Sequence, residues 1–451
     1  MLTQESRTTL SYINDLNQLK TELNRIPAVD VGDYITQLPP ERRAIAFRLL
    51  NQTQAIDVFE HLPPQVQEEL IGSLHNTQVC QIMEAMSPDD RAELFDDLPD
   101  EVVLRLLEQL SLAERQATAT ILNYPESTAG RVMTTEYVQL REGLTVTEAL
   151  SQIRLTDHDK ETIYYAYVTD DNRKLVSVVS LRQLLFSIPN ALIKDIASNR
   201  VIKARTEMPQ EQVAQLMQRY DLLALPVVDR EERLVGIITI DDVIDILEEE
   251  ATEDIQKLAG VSGGDESVLA PPQVTIRKRL PWLLGVMVLY IGSASAIAPF
   301  QNVISLVPVL AVIMPIFSNT GGTVGIQALT VTIRGLSVGE VTPQDTLRIL
   351  RKEILAGLGI ALALGLTLVM LSLIWAAPQE RWVALVAGLV MAINVLVAVI
   401  LGTLLPIGFK RLNLDPALIS GPLLTTLLDG VGFVIFLSLI SVALNVLNLK
   451  P

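Results

Sequence analysis

The rhythm of apolar and polar positions changes along the chain. Over roughly 30–125 a leucine-type residue recurs every 12 positions, at Leu38, Leu50, Leu62, Leu74, Met86, Leu98, Leu110 and Leu122. Several copies run into a helix-start signal: Leu38-Pro39-Pro40-Glu41, Leu62-Pro63-Pro64, Met86-Ser87-Pro88 and Leu98-Pro99-Asp100. Proline early in a helix loses no hydrogen bond, and an acid in the first turn suits the helix dipole. The spacing predicts short helices stacked as a superhelical array, after one more amphipathic helix over 1–25. Between 130 and 255 a β-run, helix, two β-runs and a helix occur twice. The helices are expected at Thr145–Ile153 and Pro209–Tyr220. The paired runs are Tyr164–Thr169 with Leu175–Val179, and Ala224–Val228 with Leu234–Ile238. The turns Asp170-Asp171-Asn172 and Asp229-Arg230-Glu231 have hairpin composition. Residues 241–259 read as an acidic amphipathic helix ending at Gly260, followed by a loose, glycine- and proline-containing hinge. Five apolar spans then lie near 281–300, 303–330, 354–376, 382–406 and 417–447. Each is long enough for a hydrocarbon core of about 30 Å.

Charge sharpens the division. Residues 1–270 hold 46 acids and 24 Lys/Arg, and residues 271–451 hold 6 and 11. The first part repels nucleic acid, whose binding needs Lys and Arg to displace counterions, and it attracts cations. Cys80 is the single cysteine and the three histidines all precede the spans, so no disulfide framework and no intramembrane His-Glu-x-x-His zinc site is present. No phosphate-binding Walker loop occurs, and no enzyme activity is indicated. Arg277, Lys278, Arg279, Arg334, Arg348, Arg351, Lys352, Lys410 and Arg411 fall on one side of the spans, against Arg381 and Lys450 on the other. This bias predicts a multi-pass plasma (inner) membrane protein with a cytoplasmic N-terminus and an external C-terminus.

Two places could hold chemistry. Asp89, Asp90, Glu93, Asp96, Asp97 and Asp100 crowd 12 residues, and positions 89, 93, 96, 97 and 100 would share a helix face. Such a face is either solvated or occupied by a cation. Asp429 is the only acid inside an expected span, about 18 Å from its start. An intramembrane carboxylate is a functional candidate by default. The tract Pro315–Gln327 carries Asn319, Gly321, Gly322 and Thr323 in mid-span, which suggests either a polar path or close helix packing.

The strand–helix pair resembles tandem CBS domains, on Leu225-Pro226-Val227-Val228-Asp229 and Gly236-Ile237-Ile238-Thr239-Ile240-Asp241-Asp242. In that family Gly-x-x-Ser/Thr-x-x-Asp positions a nucleotide ribose. Gly236, Thr239 and Asp242 fit that pattern, making ATP a candidate ligand of the second module. The first module has Ser177, Ser180 and Gln183 there instead.

The order of segments, with Asp415–Asp429 and Gly321–Gln327, resembles the MgtE family of magnesium channels. The resemblance implies a multidomain membrane protein with an α-helical superhelical N-terminal domain, an α+β tandem CBS pair, a linking (plug) helix and a five-helix all-α transmembrane domain. The corresponding bounds are 1–128 for the N domain, 129–190 and 191–245 for the CBS domains, 246–276 for the linking helix and hinge, and 277–451 for the pore. It implies a homodimer in the lipid bilayer that passes hydrated Mg2+, with Asp429, Gly421, Thr425 and Asn319 as pore contacts. It also implies closure by regulatory Mg2+ on acidic cytosolic residues, for which Asp89, Asp90, Glu93, Asp97, Asp241, Asp245, Glu249, Glu250, Glu253 and Asp254 are candidates. Thr323 stands where the family usually has Asn. A cation-coupled exchanger and a non-conducting Mg2+ or nucleotide sensor are the alternatives.

Overall fold

The computed structural model describes residues 16–446 apart from 75, 156–159, 269, 377, 379, 380 and 420. The first 15 residues of the expected N-terminal helix, His75, His158, Ser420 and Lys450 therefore lie outside the described residues. The chain forms two compact units, one up to Leu247 and one from Glu248.

Among the described residues, the first unit opens with nine short helices: α1 (Leu16–Leu23), α2 (Ala28–Gln37), α3 (Pro40–Arg48), α4 (Gln52–Glu60), α5 (Pro64–Ser73), α6 (Asn76–Ala85), α7 (Pro88–Asp97), α8 (Asp100–Gln109) and α9 (Leu112–Leu122). The 12-residue repeat marks helix ends. Leu38, Leu74, Leu98 and Leu110 each follow the last helical residue, and Leu62, Leu74, Met86, Leu98 and Leu110 are buried. A helix of about ten residues plus a short turn returns the chain to the core once per repeat. Most helices from α2 onward pack on the next but one, giving the superhelical stack. Side-chain caps start α4, α7 and α9: Asn51, Ser87 and Ser111 accept from the amides of Gln54, Asp90 and Glu114.

The pair of modules follows. The first comprises β1 (Val138–Arg141), α10 (Val146–Leu155), β2 (Tyr165–Thr169), β3 (Leu175–Ser180) and α11 (Leu181–Phe186). After the single turn α12 (Ile193–Ile196) come β4 (Ala204–Arg205), α13 (Gln210–Tyr220), β5 (Ala224–Val228) and β6 (Leu234–Thr239). Each sheet has its first strand parallel to the second and the second antiparallel to the third. The hairpins are built alike. Asp170 Oδ1 accepts from the amides of Asn172 and Lys174, and Asp229 Oδ1 from those of Glu231 and Arg233. The left-handed residue falls one position after the expected turn, at Arg173 and Glu232. The sheets share a small apolar core of Tyr167, Ala224, Leu234 and Ile237.

Helix α14 (Ile240–Ala259) begins in the first unit and ends in the second. The second unit continues with α15 (Pro272–Ile297), the short α16 (Gln301–Leu306), α17 (Leu310–Ser337), α18 (Thr346–Trp375), α19 (Trp382–Arg411) and α20 (Gly421–Val446). Among the described residues, four helical stretches are long and apolar enough to cross a membrane: 272–306, 343–375, 382–411 and 421–446. The fifth long helix, α17, has 28 residues, and its Ser-Asn-Thr-Gly-Gly-Thr tract lowers its apolarity. It starts at Leu310 rather than 303, because Pro308 ends α16 and forces a new start. Backward extension of α18 to Thr346 brings Glu353 into a helix, where it pairs with Lys352 at 2.5 Å. Glycines set the packing: a Cβ on Gly402 would come 2.5 Å from the Gly325 carbonyl oxygen, and Gly365 and Gly388 approach through their carbonyls. Phe317 stacks on Phe436, with ring centroids 5.3 Å apart.

The expected loose hinge is an ordered elbow. Gly260, Gly263 and Gly264 have positive φ and fold residues 260–268 back. Lys278 pairs with Asp265 at 2.8 Å, Arg279 holds Glu266 through two nitrogens, and Gln256 exchanges two hydrogen bonds with the Glu266 backbone.

Candidate functional site

The membrane carboxylate comes first. Because α20 starts at Gly421 rather than 417, Asp429 lies about 12 Å into the helix, short of its middle. Its Oδ1 accepts from Ser318 Oγ of α17 at 2.5 Å. The two helices approach closely here, because a Cβ on Gly322 would meet the Thr425 methyl and one on Gly325 would meet Leu428. Asn319, the expected pore contact, is exposed on another face of α17 together with Thr323 and Gln327. Thr323 Oγ1 donates to the Asn319 carbonyl, so this position needs no side-chain amide to satisfy its own polar group. Thr425 Oγ1 donates to the Pro422 carbonyl, and Gly421 is buried against Ile326. Pro422 sits in the first turn of α20, where it starts the helix rather than loosening it. Sequence reasoning passed over Asn394, a buried amide on α19 that faces Gly321 of α17 and Gly432 of α20. The available signal was a lone Asn in an otherwise apolar run.

The second half of α14 is fixed within the same unit. Lys257 Nζ lies 2.5 Å from Glu253 and 2.8 Å from Asp415, and Ser337 Oγ donates to Asp254 at 3.0 Å. Burial raises the Asp254 carboxyl above the usual range, against the Ser337 hydrogen bond and with help from Asp415. Burial alone would lower the Lys257 ammonium, but its hydrogen bonds to Asp415 and Glu253 outweigh this and raise it. Glu249 and Glu250 lie earlier on the helix.

The acidic stretch at 89–100 is not one face. Helix α7 ends at Asp97, the chain turns at Leu98-Pro99, and Asp100 opens α8. Asp89 is buried, whereas Glu93 and Asp96 are exposed, and Asp96 pairs with Arg131. The Asp97 side chain lies outside what is described. Instead, the fold gathers carboxylates from three segments. Burial, then Asp90 and Glu161, push Asp89 well above the usual carboxylate range. Burial and Asp89 do the same to Asp242. Asp90 is raised by burial and by Asp241, and Glu161 is pushed up to about 7 by burial, Asp242, Asp90, Asp241 and Glu136. Asp89 Oδ1 is buried with no hydrogen-bond partner. Asp245, in the same unit, is exposed. Among the described residues no three His, Cys, Asp or Glu side chains converge as a ready ligand set. Hydrated Mg2+ needs none, since it keeps several waters and is commonly held by one or two carboxylates. The orphaned Asp89 oxygen in a crowd of acids fits such an ion.

Gly236, Thr239 and Asp242 have structural work of their own. A Cβ on Gly236 would lie 2.6 Å from Met133 Sδ and 2.7 Å from the Thr134 carbonyl oxygen. Asp242 accepts from the amide and hydroxyl of Thr239, capping α14. Ser180 and Gln183 make the equivalent capping box in the first module. An open cavity of about 700 Å³ lies elsewhere on the pair, lined by Tyr164, Tyr165, Arg182, Phe186, Ser198 and Leu223 among others.

Residues 314–439 match the MgtE family of divalent cation transporters, 26–127 the MgtE intracellular N domain, and 129–190 and 193–249 the CBS domain. The magnesium transporter MgtE of Thermus thermophilus is 40% identical over 328 residues, 72% of either chain. The chain belongs to the MgtE family of magnesium transporters. The MgtE of Enterococcus faecalis is 36% identical over 71% of this chain and 70% of its own. A crystal structure of the cytosolic domain of the Mg2+ channel MgtE in complex with ATP is 37% identical, with TM-score 0.51. It covers 54% of this chain and 98% of that one. This MgtE-family chain is therefore a multi-pass magnesium transporter with a CBS pair, and not an enzyme.

Proposed function

We propose that the protein is a channel that passes hydrated Mg2+ into the cytosol down its electrochemical gradient. The observation that carries the reading is Asp429, a carboxylate on the apolar helix α20, held by Ser318 beside the polar tract of α17. A carboxylate at that depth is costly unless an ion or a polar path repays it. Mg2+ sheds water reluctantly, so carboxylate and carbonyl oxygens would bond its waters rather than strip them. Entry through 100 mV releases about 4.6 kcal/mol for a divalent ion, which removes the need for ATP hydrolysis. Thr425 and Gly421 lie on the same helix as Asp429, and Asn319 on α17. In a homodimer two Asp429 side chains would share the axis, and a dication between them relieves their repulsion. The excess of Lys and Arg on one side orients the N-terminus to the cytoplasm and the C-terminus outside.

Closure by Mg2+ follows from the carboxylate cluster. Asp89, Asp90, Asp241 and Asp242 repel one another when empty, and an ion among them draws their segments together at the first turn of α14. Glu93, Asp97, Asp245, Glu249, Glu250, Glu253 and Asp254 are the further candidate ligands of regulatory Mg2+, and α14 carries the change toward the membrane. A nucleotide fits the cavity at Tyr164 and Arg182 better than the closed surface at Gly236, and the ATP-bound relative supports such a ligand.

The test is Mg2+ uptake into proteoliposomes with no counter-ion gradient, comparing wild type with Asp429→Ala. Voltage-dependent uptake that falls at least about tenfold in the variant is expected. Uptake that requires a sodium or proton gradient would instead establish an exchanger, and uptake untouched by the substitution would move the pore site.

A further inference from the structure

Lys257 is the one cation on α14 in a run of acids, and the contacts place it with care. Its ammonium bridges Glu253, one turn back on the same helix, and Asp415, in the segment leading into α20. The side chain is mostly withdrawn from solvent, at 17% exposure, so the pairs are screened less than surface ones. Asp415 uses its two oxygens separately: Oδ2 takes Lys257, and Oδ1 accepts from the Ala417 amide, shaping the turn Pro416–Leu418 that starts α20. Asp254 stands beside the pair, bonded to Ser337 at the end of α17, and Leu258 packs against the core of the membrane helices. Two carboxylates from two segments thus share a single ammonium, with the third, Asp254, close by.

We propose that Lys257 is a built-in counter-cation that latches the end of α14 to the start of the pore helix with no metal present. The three acids would otherwise drive α14 off by mutual repulsion. The latch opposes the opening force generated by the empty carboxylates around Asp89, and so sets how far magnesium must fall before the helix is released. This last step rests on the channel reading; the latch itself does not.

The experiment is hydrogen exchange of the amides of residues 252–259 in the full chain, in nanodiscs with EDTA. Exchange of these amides reports the local opening equilibrium. Lys257→Gln should exchange about tenfold faster than wild type, the loss of a partly buried charge-assisted pair. Asp415→Asn keeps an oxygen for the Ala417 amide and should give a similar rise. The double variant should exchange no faster than either single one, because both remove the same contact, and Lys257→Arg should restore most of the protection. Wild-type exchange in Lys257→Gln, or effects that multiply in the double variant, would overturn the latch. Loss of magnesium conduction alone would bear on the channel reading and leave this result standing.

Discussion

Asp89 shows what a single side chain does here. Its carboxyl is buried, one oxygen is orphaned, and Asp90 and Glu161 face it. Raised above its unfolded value, it binds its proton more tightly in the folded state. Its contribution to stability is therefore present below the ordinary carboxylate range near pH 4 and lost as pH rises through the raised value. Without metal, the unfolding transition of the first unit in the wild type should fall between pH 5 and pH 8. Asp89→Asn carries no charge to bury and should flatten that dependence, standing about 1–3 kcal/mol above wild type at pH 8. Added Mg2+ should stabilise the wild type more than the variant, since an ion that binds only the folded state stabilises by mass action. Thermal denaturation in EDTA and in Mg2+ measures both effects. Parallel pH curves for the two proteins would dismiss the buried charge as their cause.

At the level of elements, the sequence showed regular features well and phases poorly. The 12-residue repeat was legible because each copy falls at, or within two residues of, the end of a helix of nine to eleven residues, and the duplicated hairpins because Asp170 and Asp229 perform one task twice. Apolarity alone could not reveal the break at Pro308, since Val303–Val309 reads as part of one span. Nor could it choose between Ser318 and Asn319: neighbours on a helix point about 100° apart, and only the packing of α17 on α20 selects the one that meets Asp429. The glycines of 260–264 looked like flexibility and instead make an elbow, because side chains of α14 and α15 on either side, Gln256, Lys278 and Arg279, hold Asp265 and Glu266. Glycine in the membrane helices likewise has two meanings. A methyl at Gly402 would press on the backbone of α17, whereas one at Gly359 meets open space. Gly402→Ala should cost about 1–3 kcal/mol of membrane-unit stability and Gly359→Ala close to nothing. Equal stability of the two in thermal scanning would show that α19 does not depend on this close approach.

The whole molecule poses a problem that one chain leaves unsolved. Helix α17 turns Asn319, Thr323 and Gln327, four residues apart, to its exposed side. Lipid is a poor solvent for such a row, and polar positions in membrane helices ordinarily face protein or water. Helix α18, by contrast, exposes Leu355, Leu358, Leu362 and Leu366, which suits hydrocarbon. The economical arrangement is a pair of chains related by two-fold symmetry, with the α17 rows turned inward on water and the α18 faces outward. In a Cys80→Ser background, Thr323→Cys should then form a dimer with a short bifunctional thiol reagent in membranes, and Leu362→Cys should not. Cross-linking at Leu362 but not at Thr323 would place lipid where the path is expected, and would require the polar row to be covered from within its own chain.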